Sequence, residues 1–306
     1  MKNQCSQMRP QKQTNTRYGN MLYLEGDPTI GRSLELYGEY CHAEIEAIKS
    51  FVSPTSWFVD IGANIGTHTI GISPYVNRVV AFEPDSDNFD LLVKNISTCG
   101  CENVTPTPLA ISDKFGEVAT EFNYGKTTIV PGTAVKTASL DMIGLPQIDF
   151  VKMDVEGMEL AVLQGMSATL QGFKPHLLIE MQDPKQYTAI YDLLKEKNYN
   201  MYWFPVPTYN PNNSKKNTDN VFGDQHGVIN WICSTEQLNT TLQAVVDRDD
   251  TVERMVWRRN QDVGNDRKNG GCPPMDLHSN SRLSIWRCFF TLVQRYTNGD
   301  LGCAKV

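Results

Sequence analysis

No apolar run in the sequence approaches the roughly 18 residues that a membrane-spanning helix needs, so no membrane is expected as a partner. The opening stretch MKNQCSQMRPQKQTNTRYGN has no apolar h-region, so it is not expected to be a secretory signal. Positive charge is sparse. The net charge is −7 and the pI about 5.3, and no basic cluster is longer than Lys215-Lys216 or Arg258-Arg259. A phosphate-backbone binder shows a basic stripe or face, so nucleic acid is not expected either. The 8 cysteines are scattered, and only Cys99 and Cys101 are close. One C-x-C pair lacks the second ligand pair of a zinc site. The expectation is free thiols in a reducing, cytoplasmic compartment. There is no internal repeat.

What is present is a rhythm. The 306 residues suffice for one large α/β domain with additions. Residues 1–20 read as a polar, mobile tail, and Met21–Tyr40 as a flap or small hairpin broken by Gly26, Pro28, Gly31 and Gly38. Ala43–Phe51 has helical spacing at Ile45, Ile48 and Phe51. Five strands are then predicted, at Trp57–Ile61, Arg78–Phe82, Val104–Ala110, Ile148–Met153 and His176–Met181. Helices are predicted at Gly66–Ile72, Asp85–Ile96, Glu159–Leu170 and Lys185–Lys197. Short β segments lie at Val118–Asn123 and Thr127–Val130, and two last strands at Met201–Val206 and Val228–Cys233. Continuous apolar strands alternating with helices imply an α/β fold, a mostly parallel sheet with helices on both faces. Its ligand belongs outside the carboxyl ends of the strands, at the switch point. The pattern decays after about Gln261, although Arg282–Tyr296 has amphipathic spacing. The expected division is a tail and flap at 1–37, the main domain at 38–235 and a C-terminal extension at 236–306.

The acids fall where that sheet would bind. Asp60 ends the first strand and Glu83 the second, Asp113 follows the third, Asp154 and Glu156 follow the fourth, and Glu180 ends the fifth. Any one has a bland explanation as a cap or turn acid; the repetition defines an acidic rim. Gly62, Asn64 and Gly66 complete D-x-G-x-N-x-G, which overlaps only partly with the dinucleotide pattern G-x-G-x-x-G. Gly62 and Gly66 permit tight turning, and a helix starting there offers N–H groups to an anion. Asp60 would be a poor neighbour for a pyrophosphate. It suits S-adenosylmethionine, whose amine and sulfonium favour acidic surroundings and whose carboxylate can use the loop. Glu83 is placed to accept from ribose hydroxyls.

VDIGANIGTHT, VVAFEPD, PLAISD, DFVKMDVEGMELAVLQGM and KPHLLIEM together resemble the FkbM family of S-adenosylmethionine-dependent methyltransferases. GEYCHAEIEAI resembles that family's lead-in and VINWICS its closing strand, so the likeness runs from about Gly38 to Cys233. Gln182 departs from it, since many members carry histidine in E-x-H. The resemblance implies a seven-stranded class I methyltransferase sheet and methyl transfer to a hydroxyl oxygen of a sugar or glycan, or another small-molecule acceptor. It assigns Asp60, Gly62, Asn64 and Gly66 to the cofactor loop, Glu83 to the ribose, and Ser112 and Asp113 to the adenine side.

An alcohol gains from a general base in methyl transfer. Past the fourth strand Asp154 is the first choice, with Glu156 and Glu180 as companions. Three carboxylates in one site repel. Either one keeps a proton, or a divalent cation binds them, or Lys152 offsets their charge. His68 and His226 read as packed or hydrogen-bonded residues before they read as catalysts. Tyr191 and Lys195 mimic a dehydrogenase Y-x-x-x-K, but Tyr187, Ile190, Tyr191 and Leu194 also make a plain amphipathic helix. Tyr37, Tyr40, Tyr202, Trp203 and Tyr209 are either sugar-stacking rings or core. The competing readings are an NAD-dependent oxidoreductase on a similar sheet and a non-catalytic binding module.

Overall fold

The computed structural model describes residues 9–123, 126–223 and 226–250. The chain opens with a hairpin, β1 (Gln11–Thr16) and β2 (Gly19–Leu24), followed by α1 (Ile30–Tyr37) and α2 (His42–Lys49). Then come β3 (Trp57–Ile61), α3 (Thr67–Ile72), β4 (Arg78–Phe82), α4 (Ser86–Thr98) and β5 (Val104–Thr107). A small excursion follows, with β6 (Ala110–Ile111), β7 (Gly116–Asn123), β8 (Lys126–Ala138) and α5 (Leu140–Ile143). The chain returns through β9 (Phe150–Met153), α6 (Glu159–Gln164), α7 (Ser167–Gly172), β10 (His176–Glu180) and α8 (Tyr187–Glu196). It closes with β11 (Asn200–Pro207) and β12 (Gly227–Ser234).

The main sheet has seven strands in the order β11-β12-β10-β9-β3-β4-β5. β12 is antiparallel to both its neighbours, and the pairs β10–β9, β9–β3, β3–β4 and β4–β5 are parallel. This order, reversing between β3 and β9, is the seven-stranded arrangement that the sequence resemblance implies. β6, β7 and β8 form a separate three-stranded sheet.

Strand alternation sends side chains to two cores. Val59, Ile61, Val151, Met153, Leu177 and Ile179 pack on one face. Phe58, Phe150, Leu178 and Ile232 pack on the other. Asp60 and Lys152 share that second face, because Asp60 pairs with Lys152 and Phe58 with Phe150 across β3 and β9. One charge of each sign thus enters an otherwise apolar layer at the same register step.

Several expectations change. Residues 11–20 are not a mobile tail but half of a hairpin, because Met21, Tyr23 and Leu24 are buried and Asn95 of α4 accepts from the N–H of Leu22. The predicted third strand ends at Thr107, and Ala110 turns into the small sheet. The predicted helix over 159–170 is broken at Gly165, whose backbone crosses Ser112; a Cβ there would lie 2.0 Å from the Ser112 carbonyl oxygen. Beyond Ser234 the chain stays packed. Trp203 donates its N–H to the Gln243 carbonyl, and Val245 donates to that of Met201, so 243–245 line the β11 edge. The expected helix at 282–296 lies outside the described residues. Among the described residues no helix is long and apolar enough to cross a membrane.

Candidate active site

A cleft of about 420 Å³ opens at the carboxyl ends of β3, β9 and β10, at the switch point. The turn after β3 supplies Ala63 and Asn64, the turn after β9 supplies Asp154 and Glu156, and β10 supplies Glu180, with Gln182 just beyond it. One oxygen each of Asp154, Glu156 and Glu180 falls within 4.8 Å of the others. The three acids predicted as companions therefore do converge. Glu156 has φ 52 and Asn64 φ 51, both left-handed. Such a conformation costs a non-glycine residue of order 1 kcal/mol, and both strained residues stand on the cleft wall. Gln182 donates to Glu180 Oε2 at 2.7 Å, so the residue in place of the family's histidine still serves the cluster.

Lys152 lies beneath the cluster, 3.5 Å from Asp154 Oδ2 and 3.7 Å from Asp60 Oδ1. Burial opposes its charge, but Asp154, Asp60, Glu44 and Glu180 outweigh burial and raise its pKa. Asp60 is wholly buried and accepts from Thr69 Oγ1 at 2.6 Å. It is not among the residues lining the cleft. The partners of this strand-end acid are thus Lys152 and Thr69, both within the chain. The loop N–H groups expected to meet an anion are also engaged. Gly62 and Ala63 donate to the Phe82 carbonyl, Gly66 to that of Ala63, and Asn64 to Glu83. Gly62 has a structural duty of its own. Its φ is 80, and a Cβ there would lie 1.9 Å from the Asp154 carbonyl oxygen, so only glycine lets the turns after β3 and β9 touch.

Behind these turns lies a smaller slot of about 40 Å³, lined by Gly62, Phe82, Glu83, Leu109, Ile111, Val155 and Met158. Glu83 is buried, and its two oxygens accept from the N–H groups of Asn64 at 2.8 Å and Asp85 at 2.9 Å. A carboxylate offers about four acceptor positions, so two remain. Burial pushes the Glu83 pKa up to about 7. Ser112 and Asp113 follow Ile111 but do not line the slot. Asp113 accepts from Ser112 Oγ at 3.1 Å and lies 3.8 Å from Lys114 Nζ.

The remaining candidates separate by burial. Tyr37, Tyr202, Trp203 and Tyr209 are core, with Tyr37 edge-on to Tyr209 at 5.2 Å. Tyr40 alone of the five lines the cleft. Burial, then the charges of Cys41, Glu180 and Asp154, hold its phenol protonated, with a pKa well above the usual value. Tyr187, Ile190 and Leu194 are buried in α8, and Lys195 lies over the Tyr191 ring at 5.7 Å, as packing predicts. His68 and His226 both reach the cleft wall. His226 Nδ1 is 2.8 Å from Thr208 Oγ1, and His68 Nε2 is 2.8 Å from Glu44 Oε2. That last contact was missed by sequence reasoning. Its only signal was the placement of two titratable residues, Glu44 and His68, on helices that otherwise turn apolar faces inward. Cys41, Cys99, Cys101 and Cys233 are free thiols.

A family model matches the middle of the chain. Residues 60–201 match the methyltransferase FkbM domain. The matched region runs from Asp60 to the start of β11 and carries the cluster, the slot and the glycine loop. A curated relative, hexuronic acid methyltransferase AglP of Haloferax volcanii, is 35% identical over 144 residues, covering 43% of this chain and 59% of the relative. The chain thus spans about three fifths of that relative's length. Among solved structures, a methyltransferase FkbM from Methylobacillus flagellatus is similar at 18% identity and TM-score 0.40, covering 60% of this chain and 47% of that one. An rRNA methylase from Streptococcus thermophilus is similar at 13% identity and TM-score 0.43, covering 64% and 96%.

Proposed function

We propose that this protein is an enzyme that transfers a methyl group from S-adenosylmethionine to a hydroxyl oxygen of a sugar or glycan. The observation that carries the reading is the pairing of two sites across the same two turns. Residues 62–64 and 154–156 bound the Glu83 slot on one side and the carboxylate cleft on the other. A ligand with an adenosine and a reactive sulfonium fits that arrangement. Glu83 has acceptor capacity left for two ribose hydroxyls, Ile111 and Met158 supply apolar walls, and Ser112 and Asp113 stand next to reach the adenine amine. The slot must widen to admit the base. Asp60, Gly62, Asn64 and Gly66 serve the cofactor by shaping the loop, Asp60 from below through Thr69 and Lys152.

S-adenosylmethionine supplies an electrophilic methyl on a good leaving group. The chain must hold the acceptor oxygen in line near that carbon and exclude water. Asp154, Glu156 and Glu180 accept hydrogen bonds from the acceptor's hydroxyls and polarise the reacting one. Tyr40, which also lines the cleft, donates to the acceptor. A hydroxyl-rich acceptor is favoured over nucleic acid by the acidic cleft and the net charge of −7. The relative's hexuronic acid points to the same class. The free thiols agree with a cytoplasmic location. A second reading adds a divalent cation, because the three carboxylate oxygens are spaced closely enough to share one. Dialysis against a chelator should then abolish transfer, whereas Lys152 alone as counter-charge predicts unchanged rates.

The deciding experiment is Asp154→Asn. Methyl transfer to a sugar pool should fall by about 10²-fold or more with S-adenosylhomocysteine affinity within about threefold. An unchanged rate would remove the cluster from the reaction. Binding of NAD in place of S-adenosylhomocysteine would restore the oxidoreductase reading.

A further inference from the structure

Beneath the cleft wall runs a buried chain of polar groups that the carboxylate cluster does not use. His68 stands on α3, one position after Thr67, and both line the cleft. His68 and Glu44 are each about 95% buried. Glu44 Oε2 lies 2.8 Å from His68 Nε2, a close contact whose angle departs from a straight hydrogen bond. Glu44 Oε1 accepts from Asn230 Nδ2 at 2.8 Å, across 186 positions of chain. Asn230 lies on β12 and Glu44 on α2, so two separate elements hold the carboxylate that lies against the ring. With Nε2 against Glu44, the remaining nitrogen is Nδ1, 3.5 Å from Thr67 Oγ1. A carboxylate that orients one imidazole nitrogen leaves the other as a base, and the ring's charge on protonation is met by the carboxylate.

Asp154, by contrast, already faces an ammonium. Lys152 matches its charge at 3.5 Å, which suits a carboxylate that binds hydroxyls better than one that must take up a proton. The other charged groups around His68 are His42, on α2 beside Glu44, His226 from the loop before β12, and Lys152 with the cluster across the cleft.

We infer that His68, positioned by Glu44 and Asn230, is the catalytic base that removes the acceptor's hydroxyl proton through Nδ1. The inference rests on the methyl-transfer reading above. In the step, the acceptor oxygen forms a bond to the methyl carbon, and the carbon–sulfur bond breaks with its electron pair going to sulfur. The hydroxyl proton passes to Nδ1 and leaves to solvent after the product departs. Glu44 and Asn230 are positioning residues. Both lie outside the segment that matches the FkbM domain.

The test is nuclear magnetic resonance of the full chain with ¹⁵N-labelled histidine, saturated with S-adenosylhomocysteine. One imidazole signal should be absent in His68→Gln. Its ring nitrogen shifts should place the proton of the neutral imidazole on Nε2, against Glu44. Glu44→Gln should displace that signal, which also assigns it if His68→Gln does not fold. A neutral ring with its proton on Nδ1 overturns the inference. In the same samples, no binding of S-adenosylhomocysteine would count against the methyl-transfer reading instead. With methyl glucuronide as acceptor probe, His68→Gln should lose at least about 10²-fold in turnover and keep its cofactor affinity. Turnover within about threefold of wild type overturns the inference.

Discussion

Lys152 stands between two aspartates whose surroundings differ. Asp60 has 0% side-chain exposure, while Asp154 has 32%. Asp60 is bonded to Thr69 and enclosed by the sheet; Asp154 opens onto the cleft beside Glu156 and Glu180. The same lysine thus faces an enclosed carboxylate below and a cleft-lining one above. Strand-end acids of one sequence pattern divide into two kinds, and what divides them is whether the side chain alternates into the layer or follows the turn out of it.

Breaking the shared lysine gives the largest expected effect. Lys152→Met leaves Asp60 buried without its cation, and losing one partner of a buried pair costs about 3–5 kcal/mol. Urea unfolding should show it. Stability equal to wild type would mean that Thr69 alone satisfies Asp60.

The comparison sharpens further at Glu83, the strand-end acid of the slot. Glu83→Ala should weaken S-adenosylhomocysteine by about 1.5–3 kcal/mol, the range for hydrogen bonds to a charged group, as read by calorimetry. A similar loss in Asp113→Ala would move the deciding contact to the adenine side.

The raised Glu83 pKa gives a pH dependence with a definite sign. The folded carboxyl titrates at about 7 against an ordinary 4.5, so between these values the folded state holds the extra proton. Its contribution to stability is fully present below about pH 4.5 and lost as pH rises through about 7. Ribose hydroxyls donate to the charged form. Cofactor binding should therefore release protons near pH 6–7, detectable as a buffer-dependent heat that disappears in Glu83→Gln.

The smallest effect tests packing against mimicry. Lys195→Ala, on the exposed side of α8, should change stability by about 0.5 kcal/mol or less and leave activity intact. A large loss of activity would revive the dehydrogenase-like pair.

Most strands were legible because each is a short apolar run closed by an acid or glycine, and five such runs at βα spacing permit little besides a parallel sheet. Trp57–Ile61 and Arg78–Phe82 fall where the spacing predicts. The hairpin at 11–24 was not legible, because QKQTNT carries no apolar alternation and becomes a strand only against β2 and α4. The break in the helix at Gly165 was hidden for a similar reason: it comes from Ser112, more than fifty positions away.

The amino-acid order by itself determined the alternating elements, the glycine turn and the series of acids at strand ends, since these depend on local spacing and backbone freedom. Only the tertiary structure decided which acids are buried and which meet. The pairing of Asp60 with Lys152 needs the β3–β9 register, the cluster needs the ends of β9 and β10 side by side, and His68 meets Glu44 and Asn230 only when distant elements assemble. Charge–charge contacts act over a few ångströms of space, and distance along the chain carries no information about them until the sheet is assembled.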